Sequence, residues 1–480
     1  MAEQRPFDTR RAGVLLHVTS LPPATGGASA GDLGEQACGF VDFLADAGCS
    51  VWQVLPLVPT HDEDGSPYNA VSAMAGNPRL VSRDRQAADG LASPGGLDAA
   101  RRAAFEGWCR DHAAWLDPYV QFTALRELSG GRPWTTWEPG LRDRRPAAVA
   151  KALSPVAKRV EELRFEQWVF DGQWARLRRY AADRGVLLFG DLPIFVSHDS
   201  ADVWAARELF LLDDRGRPVT VTGCPPDYFA ADGQRWNNPH YDWEAMAADG
   251  FAWWRRRIAR QRELFDLVRI DHFRGFEAAW HVPVEAAAAR EGRWVAAPGA
   301  DVLAALVAAA GPGTLVAEDL GVITPEVEAL RDRFGLPGMK ILQFAFDGTP
   351  DNPYLPSQHG ERSVVYTGTH DNDTTAGWWA GLDTAARRLV RASLVDPDEP
   401  MPWALVRLAL RSTAALAVVP AQDLLGLGSE CRMNTPGTDD GNWQWQARRG
   451  AFDAGLAARL RSLVEAAGRS APPATSRKGE

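Results

Sequence analysis

A (β/α)8 barrel of the α/β class, carrying inserted helical and loop subdomains, is the architecture this sequence implies. Eight short apolar runs recur along the chain. Most of them lack polar alternation, as strands buried on both faces do. Helical patterns stand between several of the runs, which is the order of a parallel barrel. Acidic residues also fall in a telling place. Asp191, Asp271 and Glu318 close such runs, and Asp371 follows another. The carboxyl end of a barrel strand is where a side chain is handed to an active site.

The runs begin near Gly13, Val51, Val186, Asp266, Thr314, Ile341, Ser363 and Leu416. Between the first two, residues 33–47 show apolar positions at helical spacing. Between Leu57 and Val186, residues 97–184 are rich in Ala, Arg, Leu and Glu, so a largely helical subdomain is expected over 58–185. A second insertion, a loop or lid subdomain, is expected over 197–265. Within it, Gly223 to Trp243 is rich in Pro, Gly, Asn, Asp and aromatics and reads as an ordered surface loop. Thr324-Pro325-Glu326 opens a helix that runs to Phe334. The barrel as a whole spans 11–467, and the small, polar residues 468–480 are expected to be a disordered tail.

The chain has 480 residues, 45% of them hydrophobic and 24% charged, with a formal net charge of -10. The length suits one large barrel with insertions, or two to three domains. The acidic balance gives no attraction to nucleic acid or to an anionic membrane, so neither partner is expected. The five cysteines are scattered, without a Cys-x-x-Cys pair, so free thiols in a reducing compartment are expected. Residues 1–6 lack the apolar stretch of a secretion signal, and no run is long enough to span a bilayer. A cytoplasmic location follows as the expectation.

Three carboxylates carry the chemistry. Asp271 follows Arg269 by two positions, so the two side chains share one strand face. A guanidinium there keeps the carboxylate ionised and aims it, or else forms a structural pair. Glu318 ends the apolar run Thr314-Leu315-Val316-Ala317, where a raised pKa makes a proton donor possible; capping the next helix is the other reading. His370-Asp371 follows Gly368, and such a pair can bind two vicinal hydroxyls of a sugar or simply close a turn. Together they suggest glycosidic-bond chemistry, which needs one charged carboxylate and one proton-bearing partner. Nineteen tryptophans are present, most of them core. Trp236, Trp443 and Trp445 lie in polar, Gly/Pro-rich segments and suit stacking on sugar rings. Phosphate-loop, zinc-helix and nucleophile-elbow patterns are missing, and Asp62-Glu63-Asp64-Gly65 and Asp439-Asp440-Gly441-Asn442 have calcium-like composition without a complete loop.

The long motifs resemble those of glycoside hydrolase family 77, the 4-α-glucanotransferases of amylomaltase type. They include Ser20-Leu21-Pro22, Trp52-Gln53-Val54-Leu55-Pro56-Leu57, Ser66-Pro67-Tyr68, Gly190-Asp191-Leu192-Pro193-Ile194-Phe195-Val196, Pro225-Pro226-Asp227-Tyr228-Phe229, Gly233-Gln234-Arg235-Trp236 and Asn434-Thr435-Pro436-Gly437-Thr438 with Asn442-Trp443. The resemblance implies Asp271 as nucleophile, Glu318 as general acid/base and Asp371 as transition-state stabiliser. It implies substrate contacts from Ser66, Tyr68, Asp191, Tyr228, Trp236, Arg269, His370 and Asn442, α-1,4-glucan substrates, no metal or other cofactor, and no carboxy-terminal β-sandwich. Transfer to a sugar hydroxyl is then the expected reaction. Hydrolysis, or a barrel that only binds sugar, are the alternatives. Val18, Asn237 and Gln446 depart from the family pattern.

Overall fold

The computed structural model describes residues 6–23, 30–61, 65–226, 232–438 and 440–469. Among these residues there are twelve strands: β1 (Arg11–Leu15), β2 (Val51–Gln53), β3 (Leu187–Pro193), β4 (Thr220–Cys224), β5 (Gln234–Pro239), β6 (Leu267–Asp271), β7 (Ala278–Pro283), β8 (Arg293–Ala296), β9 (Leu315–Ala317), β10 (Gly338–Ile341), β11 (Ser363–Tyr366) and β12 (Leu416–Pro420).

Eight of them form one parallel sheet in the order β10-β11-β12-β1-β2-β3-β6-β9. The first strand pairs with the last, Arg11 to Leu15 against Leu416 to Pro420. The gap between β9 and β10 is bridged by Ala317 N–H donating to the Pro337 carbonyl at 2.8 Å and Met339 N–H donating to Asp319 Oδ1 at 2.6 Å. The sheet therefore curls into a barrel. Side chains alternate between two apolar layers. Leu15, Phe189, Leu267, Val316, Val364, Tyr366, Leu416 and Val418 share the inner cluster. Val14, Leu188, Val268, Ala317, Val365, Ala417 and Val419 pack against the helices. Both faces are dry, which is why the runs lack polar alternation.

Helices Glu35–Asp46 and Pro325–Arg333 fall where the spacing puts them, the second with Thr324 as N-cap and Pro at its start. The insertion after β2 holds several helices, ending in the 27-residue Ala157–Asp183. That helix serves both parts: its indole Trp174 Nε1–H donates to the Leu264 carbonyl of a barrel helix at 2.8 Å. Gly190 has no room for a side chain, because a Cβ there would sit 2.2 Å from the Phe265 ring.

Five expectations need correction. The sixth strand lies earlier than Ile341: β10 starts at Gly338, and Leu342–Phe344 is a 3₁₀ turn. No α-helix joins β10 to β11 among the described residues, only short 3₁₀ turns, so the strand–helix repeat is broken once. The segment read as a surface loop from Gly223 to Trp243 contains the end of β4 and all of β5. With β7 and β8 it makes a second, antiparallel sheet in the order β5-β4-β7-β8, beside the barrel mouth. Helix Ala252–Leu264, inside the span assigned to the lid, packs on the barrel and buries Trp254, Ile258 and Leu264. Finally, Arg469 is fully buried and donates to the Arg11 carbonyl at 2.9 Å, so the ordered chain runs past 467. All five cysteines are free. Among the described residues no helix is long and apolar enough to cross a membrane.

Candidate active site

Strand β6 supplies the centre of the site. Leu267, Arg269 and Asp271 point into the barrel by strand alternation, while Val268 and Ile270 pack outward. Asp191 on β3 is the register partner of Arg269. Arg269 Nη1 donates to Asp191 Oδ2 at 2.7 Å, and Nη2 pairs with Asp271 Oδ1 at 2.8 Å. Asp191 is 1% exposed and Arg269 4%, whereas the Asp271 side chain is 25% exposed. One guanidinium thus bridges a buried and an open carboxyl group and aims the open one at the mouth. Burial pushes the Asp191 carboxyl up to about 7, against the pull of Arg269.

The Tyr68 hydroxyl donates to Asp191 Oδ2 at 2.8 Å and lies 2.9 Å from His370 Nε2. The two rings stack with centroids 5.3 Å apart. Burial pushes the His370 imidazole below its usual value. A neutral ring protonated on Nε2 gives Tyr68 the donor it lacks and faces Asp371 Oδ2 at 3.3 Å. Asp371 is 43% exposed at its side chain. Its Oδ1 accepts from Asn434 Nδ2 at 2.6 Å, and its carbonyl accepts from Arg432 Nη2 at 2.5 Å.

The loop that carries His370 and Asp371 is pinned at both ends by one buried carboxylate. Asp423 Oδ2 accepts from Thr367 Oγ1 and from Thr375 Oγ1, each at 2.6 Å. Its Oδ1 accepts from the Thr375 N–H at 2.7 Å. Thr367 follows β11 and Thr375 begins the next helix, so the carboxylate fixes the loop as a unit.

Glu318 follows β9. His272, next to Asp271, has a left-handed backbone with φ 49°, a conformation that costs a non-glycine residue roughly 1 kcal/mol. That turn directs the His272 N–H to Glu318 Oε2 at 2.6 Å. Burial pushes the Glu318 carboxyl well above the usual range; the Asp271 charge adds to this, while Arg269 and the His272 N–H oppose it. The cluster therefore offers an open carboxyl group paired with arginine beside one that burial makes a weaker acid, the division of labour that breaking a glycosidic bond requires.

The sequence profile of glycoside hydrolase family 77, described as 4-alpha-glucanotransferase, matches residues 16–97 and 85–451. The chain belongs to this family. It is 47% identical to the 4-alpha-glucanotransferase of Thermus thermophilus over 95% of this chain and 98% of that one. It is 44% identical to that of Synechocystis sp. over 96% and 99%. The amylomaltase of Streptococcus agalactiae, solved in complex with acarbose, superposes with a TM-score of 0.89 at 32% identity, covering 96% of this chain and all of that one. The amylomaltase of Corynebacterium glutamicum, at 18% identity and a TM-score of 0.75, shares the fold.

In this family 77 chain, Asp271, Glu318, Asp371, Arg269, His370, Tyr68 and Asp191 come together at the barrel mouth. Oδ2 of Asp191 accepts from both Tyr68 and Arg269 and so positions those residues, while its Oδ1 is buried with no hydrogen-bond partner among the described residues. Trp236, on β5, stands edge-on to His272 at 4.8 Å. Asn237, within β5, adopts φ 63°, a left-handed conformation that asparagine tolerates in place of the expected glycine. Ser66 Oγ accepts from the Tyr68 N–H at 3.3 Å. Asn442 Oδ1 accepts from the Thr435 N–H at 2.9 Å, and its Nδ2 donates to the Thr438 carbonyl at 2.8 Å, so this amide closes its own loop. Tyr228 and Phe229 lie outside the described residues, as do residues 62–64 and 439 of the calcium-like stretches. Among the described residues no group of three or more His, Cys, Asp or Glu side chains is placed to hold a metal ion. Asn434, Arg432 and Asp423 emerge only in the structure; Asn434 sits in a motif that carries the family resemblance, but nothing local in sequence pairs it with Asp371.

Proposed function

We propose that this enzyme is a retaining transferase of α-1,4-glucan segments, working by double displacement from a maltodextrin donor to the 4-hydroxyl of glucose or of another maltodextrin. The carrying observation is the pair of unlike carboxyl groups: Asp271 held toward the mouth by Arg269, and Glu318 made a weaker acid by burial beside it. Asp271 attacks the anomeric carbon, and the bond to the leaving oxygen breaks as Glu318 gives that oxygen its proton. The retained segment is then esterified to Asp271 with inverted configuration. Glu318, now a carboxylate, takes the proton of the acceptor hydroxyl, whose oxygen displaces Asp271 and restores the α linkage. Asp371 and His370 bind neighbouring hydroxyls and oppose the positive charge of the transition state. Asp191 and Tyr68 hold Arg269 and His370 in place.

The lid sheet brings Trp236 over His272, and Tyr228 belongs to the same insertion. Trp236 covers the acceptor and delays water. The five free thiols and the net charge of -10 support a cytoplasmic enzyme that acts on maltodextrins derived from glycogen or starch, without nucleic-acid or membrane partners. Incubation with maltotriose tests the reading. Longer maltodextrins plus glucose mean transfer. Maltose and glucose alone mean hydrolysis, and an unchanged substrate means a binding protein; either outcome defeats the proposal.

A further inference from the structure

A small cavity lies where the end of β3, the segment after β2 and helix Ala252–Leu264 meet. It leaves about 20 Å³ for the centre of a water-sized molecule, more than the roughly 10–15 Å³ that one such molecule requires. Its wall is mostly apolar, but Asp191, Arg257 and Gln261 reach it, and all three are buried. Each carries one buried polar atom without a hydrogen-bond partner among the described residues: Oδ1 of Asp191, Nε of Arg257 and Oε1 of Gln261.

The rest of the polar wall is satisfied. Tyr68 donates its hydroxyl proton to Oδ2 of Asp191, and Ser197 Oγ donates to Asn69 Oδ1 at 2.7 Å. Arg257 spends its two Nη atoms on the end of β3. Nη2 donates to the Pro193 carbonyl at 2.6 Å and Nη1 to the Ile194 carbonyl at 3.3 Å. Gln261 lies four positions after Arg257 on the same helix, so the two side chains share a face. Buried polar atoms are almost always paired, with protein or with ordered water. The three here are two acceptors and one donor. A water molecule is their complement, with two protons to give and a lone pair to offer, and enclosed waters commonly make about three hydrogen bonds.

We propose that one enclosed water donates to Oδ1 of Asp191 and to Oε1 of Gln261 and accepts from the Nε–H of Arg257, and that through it Gln261 and Arg257 are positioning residues for Arg269. Support then passes from the helix through the water to Asp191. From the other oxygen of Asp191 it passes to Arg269 and so to Asp271. Neither Gln261 nor Arg257 belongs to the carboxylate cluster itself. The inference rests on the role given above to Arg269 in aiming the nucleophile.

The water bears on charge as well. Asp191 faces Tyr68 from the segment after β2, Arg269 and Asp271 on β6, Tyr366 on β11 and Arg257 across the cavity. Burial pushes its carboxyl up to about 7. A donor on Oδ1 works against that push, because it favours the ionised form. An ionised Asp191 keeps Arg269 bridged between two carboxylates, whereas a protonated one leaves Arg269 to Asp271 alone.

A crystal structure of the full chain reads the water directly, as one ordered peak within about 3.2 Å of all three atoms. A direct contact between Gln261 and Asp191, or no ordered water there, would overturn the proposal. Gln261→Met keeps the length of the side chain and removes its hydrogen-bonding group. Total bond cleavage from maltotriose is the quantity to follow, since it counts transfer to sugar and to water alike. Near neutral pH kcat should fall about tenfold, the equivalent of one modest hydrogen bond, with KM changed less than about twofold. The acid limb of the kcat profile should move up by about one pH unit, as Asp191 loses support for its charge. A lower Tm with kcat per folded molecule and the acid limb both unchanged would reduce Gln261 to packing and overturn the inference. If the wild type leaves maltotriose untouched, the transfer reading fails, and the crystallographic water still stands or falls by itself.

Discussion

The backbone N–H of His272 donates to Oε2 of Glu318 at 2.6 Å from a left-handed residue immediately after Asp271. One kink in the chain thus sets the position of the proposed acid relative to the proposed nucleophile. The bond favours the ionised glutamate while burial favours the protonated one. That opposition suits a group that must give up a proton in one step and take one back in the next.

Glu318→Gln keeps an acceptor for the His272 N–H but has no proton to give. Transfer from maltodextrins should fall by about 10²–10⁴-fold. Formation of the glycosyl-enzyme from a donor with a good leaving group should survive, measured as a burst of released aglycone. Equal loss with both donors would show that Glu318 is not the acid.

The same substitution carries a stability signature. A carboxyl raised by burial keeps its proton in the folded chain after the unfolded chain has lost its own. Its contribution is therefore intact below the ordinary glutamate value, about 4.3, and is lost as pH rises through the higher folded value. Glu318→Gln should match the wild-type Tm near about pH 4 and exceed it near about pH 8. A gain that does not vary with pH would contradict the burial argument.

Asp423 touches no reacting group, yet it pins both ends of the loop bearing His370 and Asp371. Asp423→Ala should lower kcat by about 10²-fold, the size of effect that small displacement of positioned groups produces. KM should move much less, and Asp423→Asn, which can still accept the Thr375 N–H, should recover part of the rate. A uniform loss of folded protein with normal kcat per folded molecule would reduce Asp423 to a structural residue.

Trp236→Ala should raise the ratio of free glucose to transfer product from maltotriose, because water gains access to the glycosyl-enzyme. An unchanged ratio on folded protein would leave Trp236 with packing alone.

Arg469 donates to the carbonyls of Arg11, Leu410, Ser412, Ala414 and Ala415. Arg10 and the Arg11 N–H also donate to the carbonyls of Leu410, Ser412 and Ala415, so Arg469→Ala leaves at most the other two without a donor, a cost of about 3 kcal/mol. Thermal unfolding should shift down by roughly 5 °C, while kcat at room temperature stays at the wild-type value.

The strands that were legible in sequence are those whose two faces are both apolar, such as Leu416–Pro420. β10 was misplaced because Lys340 interrupts it, whereas the 3₁₀ turn that follows, Leu342–Phe344, is more apolar than the strand itself. The second sheet was not legible. Gln234-Arg235-Trp236-Asn237-Asn238-Pro239 is poor in strand-forming residues and is held by its partner β4, not by its own propensity. Asp271, Glu318 and Asp371 could be read because they punctuate apolar runs. Asp423 and Asn434 could not, since each acts on a residue more than forty positions away that only the folded barrel brings near.

The pairing of β1 with β12 also bears on how the chain reaches its native state. The strand made first waits for the strand made nearly last, so until residues 416–420 leave the ribosome the growing barrel has an open edge. Such an edge invites pairing with other chains, and distant pairings of this kind form slowly. A concavity beside the carboxylate cluster is walled from the same two ends of the polypeptide. A chain whose synthesis stops before β12 would therefore carry Asp271, Glu318 and Asp371 in full and still lack a closed barrel and one wall of that concavity.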